Sequence, residues 1–292
     1  MIAPIVDADW VRAHREALVL ADVRWYLDGR SGREAYGGGH IPGAVFVDLD
    51  EVLAAPGSPA EGRHPLPDAR DFAAGMAGLG IGDDDTVVAY DDQGGVMAAR
   101  LVWMLRAIGH EAALLDGGIA AYDGALETAA PERPPARFTP TAWPADRVAS
   151  IDDAADTAAN VVVDARQRER YLGEPSPLDP RAGHIPGARS LPARENLDEA
   201  GRLLPVDELR RRLVAVGIDR PDTPVVSSCG SGVTACHNLL VMEHAGVGEG
   251  RLYPGSWSQW AGDPGRPVET ADETGFAPGN IETRPGLTPF DR

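Results

Sequence analysis

The sequence predicts an α/β fold in two tandem domains, each a parallel sheet flanked by helices. Short runs of apolar and β-branched residues alternate with helical patterns along the chain, as βα units feeding a parallel sheet require. The pattern is also written twice. Leu18-Val19-Leu20-Ala21-Asp22-Val23-Arg24 matches Val161-Val162-Val163-Asp164-Ala165-Arg166, and GHIPGA occurs at Gly39–Ala44 and again at Gly183–Ala188. Thr86–Asp91 matches Pro224–Cys229, and Asp116-Gly117-Gly118 through Tyr122 matches Pro254-Gly255-Ser256 through Trp260. The order is kept and the offset drifts only slightly, as small insertions would cause. A chain of 292 residues has room for two such domains.

In the first half Val87–Tyr90 reads as a buried strand. Val96 to Ile108 reads as a helix with an apolar stripe, ended by Gly109, and Ala112–Leu115 as a strand stopped by Asp116-Gly117-Gly118. In the second half Val206 to Val216 forms a helix stopped by Gly217. The Val225-Val226 strand follows, then a loop and a helical run from Cys236 to Met242. The expected boundaries are a domain at 1–128, a Pro-rich linker at 129–147 and a second domain at 148–292. The linker is stiff and extended by composition and should run along the surface between the domains. The tail from about Gly262, rich in Pro, Gly and acidic residues, reads as irregular, with packing over the first domain one option.

Hydrophobic residues make up 43% of the chain, enough for real cores. The formal net charge is −18, which argues against nucleic acid and anionic membranes as partners. All 27 basic residues are arginine, so an anionic substrate needs a local arginine site against an acidic field. The two cysteines lie on one strand–loop–helix unit and suggest neither a disulfide scaffold nor a zinc site. The N-terminus does not read as a signal peptide and no apolar run approaches ~20 residues, so the expected location is the cytoplasm.

The stretch with the clearest chemistry is Cys229-Gly230-Ser231-Gly232-Val233-Thr234-Ala235. Its glycines let the backbone curl. The helix start after it leaves N–H groups unpaired, with a dipole that favours negative charge. Such a place favours a thiolate and makes Cys229 a nucleophile; the competing reading is a buried cysteine ending a core strand. The first half carries Asp91 there, followed by Asp92-Gln93-Gly94-Gly95, and two carboxylates would repel an anion. That copy is therefore expected to be catalytically silent, a scaffold and cleft wall. The active site belongs in the second domain, beyond the strand ends. A cysteine phosphatase would need an arginine six positions after the cysteine. Ala235 stands there, so the cradle of Gly230, Gly232, Val233 and Thr234 better suits a small substrate, or a persulfide held by loop amides.

Anion anchors must then lie elsewhere. Arg170 and Arg181 flank the stretch before the His184 motif, each open between a carboxylate clamp and plain surface charge. His40 and His184 precede Ile-Pro-Gly turns in both copies, which points to structure, with His40 the one that could face the cleft. Cys236 reads as core rather than a redox partner. Trp257 and Trp260 either wall the pocket or fill the core.

Taken together, both DxR strand ends, both GHIPGA motifs, the DGG turn, the CGSGVTAC loop and the GSW turn resemble the tandem rhodanese family of sulfurtransferases over nearly the whole chain. Within it, Cys229–Thr234 is similar to the loop of the 3-mercaptopyruvate sulfurtransferases. The thiosulfate enzymes carry Arg and Lys after the cysteine. The resemblance implies two rhodanese-like domains, no cofactor, and Cys229 as the nucleophile that takes sulfur from the donor, leaves pyruvate and holds a persulfide. Arg170 and Arg181 match the arginines for the donor carboxylate, at a spacing two residues longer here. Ser231 matches the loop serine, placed in the family with a histidine matching His40 and an aspartate in a proton relay. Asp28 is not at the spacing of that aspartate, which leaves the relay open. The acceptor implied is a thiol, such as a thioredoxin-type protein or a small thiol, or cyanide. The alternatives are thiosulfate as donor, or a sulfur- or redox-sensing module without turnover.

Overall fold

The computed structural model describes residues 1–270. In chain order it holds β1 (Ile5–Val6), α1 (Ala8–His14), β2 (Leu18–Asp22), α2 (Gly32–Gly38), β3 (Val45–Phe46), α3 (Leu49–Val52), α4 (Ala69–Gly78), β4 (Thr86–Tyr90), α5 (Ala99–Ala107) and β5 (Ala112–Leu115). The second half follows with α6 (Ile151–Ala155), β6 (Val161–Asp164), α7 (Arg168–Leu172), β7 (Arg189–Ser190), α8 (Val206–Ala215), β8 (Val225–Ser228), α9 (Ala235–Ala245), β9 (Arg251–Leu252) and α10 (Ser256–Gly262). The first sheet has the order β1-β5-β4-β2-β3 and the second β7-β6-β8-β9, with every pair parallel. β2 and β5 are buried along their whole length, as parallel strands covered on both faces must be. In the second half the place of β1 is taken by a single parallel bridge, Val148 to Leu252.

The repeated motifs meet in space. Arg24 donates to Asp22 at the end of β2 and reaches Gly39 O at 2.8 Å; Arg166 repeats this with Asp164 and Gly183 O at 2.7 Å. Each DxR end therefore pins its GHIPGA loop. α5 begins at Ala99 rather than Val96, because the backbone of residues 93–98 is wrapped around the Asp91 carboxylate instead of entering a helix.

The domains share one core. α5 of the first packs on α9 of the second, and a single apolar cluster includes Leu101 and Trp103 with Val233 and Leu240. Arg106 pairs with Glu243 across this interface. Residues 128–144 carry no helix or strand but are tied to the first domain. Ala136 N bonds Ala77 O at 2.9 Å, Trp143 Nε1 bonds Pro67 O at 2.8 Å, and Phe138 packs on Phe72. The described part of the tail turns back on the second domain, where Glu269 and His184 exchange backbone bonds of 2.8 and 3.0 Å. Its start touches the first domain, an added Cβ at Gly262 standing 3.2 Å from Pro59 O; residues 271–292 lie outside the described residues. No helix among the described residues is long and apolar enough to cross a membrane.

Candidate active site

Residues 229–234 must turn β8 into α9 within a few steps. Gly232 does so at φ +77°, where an added Cβ would stand 2.6 Å from Pro254 O, so the position requires glycine. The turn aims the Gly232 N–H at Cys229 Sγ, 3.1 Å away. Cys229 N donates to Ser256 Oγ at 3.0 Å, and that hydroxyl donates to Tyr253 O at 2.8 Å. Ser256, in the GSW turn, has φ +49°, the one left-handed non-glycine residue among those described. Its strain is held by full burial and by these two bonds.

Cys229 is 2% exposed and lines a cleft of about 440 Å³ between the domains, together with Gly230, Ser231, Val233 and Thr234. Cys236 points away, donating to Gly232 O at 3.4 Å. Burial pushes its thiol up to about 12, which makes it inert.

Beside Cys229 the structure brings together a serine, a histidine and an aspartate, and the histidine is His64 rather than His40. His64 Nδ1 stands 2.7 Å from Ser231 Oγ, and His64 Nε2 stands 3.3 Å from Asp50 Oδ1. A carboxylate only accepts, so Nε2 carries the proton and Nδ1 accepts from the Ser231 hydroxyl. Asp50 lies in α3, fixed by Trp25 Nε1 at 2.9 Å, and the Trp25 ring meets His64 edge-on at 5.4 Å. Burial depresses the His64 imidazole to about 4, opposed by Asp50 and aided by Arg100 and Arg63. The ring is therefore neutral at pH 7, with Nδ1 placed to accept the Ser231 hydroxyl.

His64 reaches the loop because residues 55–65 fold into a turn that docks on the second domain. Gly62, at φ +91°, passes so close to Gly255 that a Cβ would be 2.6 Å from its carbonyl oxygen. Arg63 N donates to Ser258 Oγ at 2.9 Å, and Gln259 Nε2 to Ala60 O at 2.5 Å. Behind the loop the buried Arg100 of α5 donates to Gly232 O at 2.7 Å, His64 O at 3.1 Å and Leu53 O. One guanidinium thus holds both the cysteine loop and the histidine loop.

His40 is not part of this site. It is fully buried, stacked on Tyr36 at 3.8 Å with Nδ1 on Tyr36 O; His184 repeats the arrangement with Tyr171. Both histidines are packing elements of the repeat. Arg170 lines the cleft. Arg181 does not: its guanidinium donates to the carbonyls of Trp260, Ala261, Asp263 and Arg266, closing the end of α10. The second arginine beside Arg170 is Arg63, from the first domain, and both donate to Asp179. Trp257 and Trp260 are core residues, 1% and 2% exposed. The signal available for His64 was a lone histidine in a Gly/Pro-rich loop with no counterpart in the second half.

The first domain lacks the thiol yet supplies Asp50, Arg63 and His64. Its own cradle is filled from within. The Asp91 carboxylate, fully buried, accepts from the N–H groups of Gln93, Gly95, Met97 and Ala98 at 2.7 to 2.9 Å. No external anion can enter there.

The family model for the rhodanese-like domain matches residues 7–125 and again 147–263. A "Probable 3-mercaptopyruvate sulfurtransferase" of Pseudomonas aeruginosa is 42% identical over 264 residues, 87% of this chain and 93% of the relative. The "Thiosulfate/3-mercaptopyruvate sulfurtransferase 1, mitochondrial" of Arabidopsis thaliana is 34% identical over 308 residues, 93% of this chain and 79% of the relative. Among solved structures, SseA from Escherichia coli, a 3-mercaptopyruvate sulfotransferase with the rhodanese fold, superposes with a TM-score of 0.77 at 35% identity. That match covers 88% of this chain and 99% of SseA.

Proposed function

The chain belongs to the rhodanese family and is a sulfurtransferase, and we propose that it takes sulfane sulfur from 3-mercaptopyruvate onto Cys229 and passes it to a thiol or to cyanide. The observation that carries the choice of donor is the Ser231–His64 contact of 2.7 Å beside Cys229. The Cys229 thiolate attacks the donor sulfur, and the C–S electron pair departs to carbon as the enolate of pyruvate. The sulfur arrives as Cys–S–SH, and its proton must move to the enolate carbon to leave Cys–S–S⁻ and pyruvate. Ser231, hydrogen-bonded to a neutral His64, can carry that proton. Thiosulfate needs no such step, because the thiolate displaces sulfite directly and no proton changes place. A relay beside the thiol therefore supports the carboxylic donor. Arg170 and Arg63 supply cations for its carboxylate. Asp91 in the matching loop illustrates how many amides can converge on an anion at this position, which supports the same loop holding a persulfide. An acceptor thiolate then takes the outer sulfur as R–S–S⁻, or cyanide takes it as thiocyanate, and the Cys229 thiolate returns.

Thiosulfate remains the competing donor, favoured by the four arginines Arg63, Arg166, Arg170 and Arg194 that line the cleft. Turnover of Ser231→Ala with each donor separates the two. Its kcat with 3-mercaptopyruvate should fall by about a hundredfold or more, while thiosulfate turnover is largely kept. Equal loss with both donors removes the relay from the reaction. Cys229→Ser should abolish turnover with either donor; retained activity would sink the persulfide step.

A further inference from the structure

Asp179 lies where an anion-binding cleft should have no carboxylate. Its side chain is 1% exposed. Its two oxygens are divided between guanidiniums of different domains, Oδ1 accepting from Arg63 Nη1 at 3.0 Å and Oδ2 from Arg170 Nη2 at 2.6 Å. Arg63 Nη1 also donates to Leu178 O at 2.9 Å. Both arginines still border the cleft, about a quarter exposed at 28% and 24%. The Arg63 Nη2 end leans toward Gly230, where an added Cβ would stand 3.3 Å from it. Of the other cleft arginines, Arg166 is neutralised by Asp164, and Arg194 meets the uncharged Gln93 Oε1 at 2.6 Å.

Asp164 and Asp179 offset two of the four guanidiniums that line the cleft, and the buried Arg100, bonded to carbonyls, adds a further cation behind the loop. The Asp179 carboxylate thus lowers the positive charge that a donor meets by one, and a dianion such as thiosulfate loses more from that than a donor with a single charge. We infer that Asp179 is a specificity-determining residue: by bridging Arg63 and Arg170 it lowers the positive charge of the cleft and disfavours dianions relative to a monocarboxylate donor. This rests on the sulfurtransferase reading of Cys229. A neighbouring charge shifts an ionic equilibrium by about ten- to a thousandfold, so the discrimination is large enough to measure.

The test uses the full-length protein and the ratio of kcat/KM for thiosulfate to that for 3-mercaptopyruvate. Asp179→Asn, which keeps shape and removes charge, should raise the ratio about tenfold or more, chiefly through a lower KM for thiosulfate. Asp179→Glu keeps the charge and should leave the ratio near that of the unaltered protein. Asp179→Asn combined with Arg194→Gln removes one charge of each sign and should bring the ratio back. An unchanged ratio in Asp179→Asn, a parallel loss with both donors, or no return in the double variant overturns the assignment. Should Asp179→Asn not fold, Arg194→Gln alone decides, since it removes one cleft cation outside the Arg63–Arg170 clamp and must lower the ratio by the same reasoning. Intact-mass measurement of the unaltered protein keeps the two claims apart. If Cys229 gains a sulfur atom from a donor and the ratio does not move, only the role of Asp179 falls. If it gains none from either donor, the underlying function falls.

Discussion

A fully buried carboxylate can be the most occupied group in a protein. Asp91 takes four backbone N–H groups, and burial pushes its acid up while those bonds pull it down. Asp91→Ala should strand those donors and lower stability by about 3 kcal/mol or more, read from a urea titration. A loss under about 1 kcal/mol would mean that water replaces the carboxylate. His237 is the opposite case. It is fully enclosed in α9 with neither ring nitrogen bonded, and burial depresses its pKa to about 4. His64 is depressed likewise. A histidine whose folded pKa lies below its unfolded value gives stability that is complete above about pH 6.5 and is lost as pH falls toward 4. Tm should therefore be flat above pH 6.5 and decline below it. His237→Leu, apolar and of similar size, should soften that decline without lowering Tm at neutral pH; an unchanged acid slope would show that His237 takes no part. The family motif points to the loop residues, but His64 and Asp50 could not be read as partners of Ser231. Their sequence separation, 167 residues between His64 and Ser231, leaves no local pattern for them to follow.

At the scale of elements, the turn at residues 55–65 decides the geometry of the site. It is neither helix nor strand, and its conformation depends on Gly62 lying against the GSW turn of the other domain. Gly62→Ala should lift that turn off Gly255 and displace Arg63 and His64 together. Misplacement of about 1 Å can cost about a hundredfold, so kcat/KM with 3-mercaptopyruvate should fall by that order while the far-ultraviolet circular dichroism stays unchanged. Full activity would show that the turn is free to adapt. The strands and long helices were legible because their apolar runs and glycine stops are local signals. The start of α5 was not, since the tertiary demand of Asp91 for N–H groups overrides the helical pattern of residues 96–98. Arg181 misled for a related reason: a guanidinium can clamp a carboxylate or close a helix end, and only the position of α10 selects between them.

For the whole molecule, the domains meet through a continuous apolar cluster and a pair between the buried Arg106 and the partly buried Glu243. Unfolding should accordingly show a single transition. Glu243→Ala, which leaves a buried guanidinium without its carboxylate, should shift that transition as a whole by about 3 kcal/mol. Two separated transitions in calorimetry would refute the shared core. The α/β class, the duplication and the family follow from the sequence alone, because βα periodicity and a doubled motif are properties of neighbouring residues. So does the contrast of Cys229 with Asp91. Tertiary structure decided that His64 rather than His40 meets Ser231, that Arg63 rather than Arg181 stands beside Arg170, and that the domain without a thiol completes the cleft. Those pairings span the interface between the domains, and a contact between residues far apart in the chain is set by packing, which no local pattern encodes.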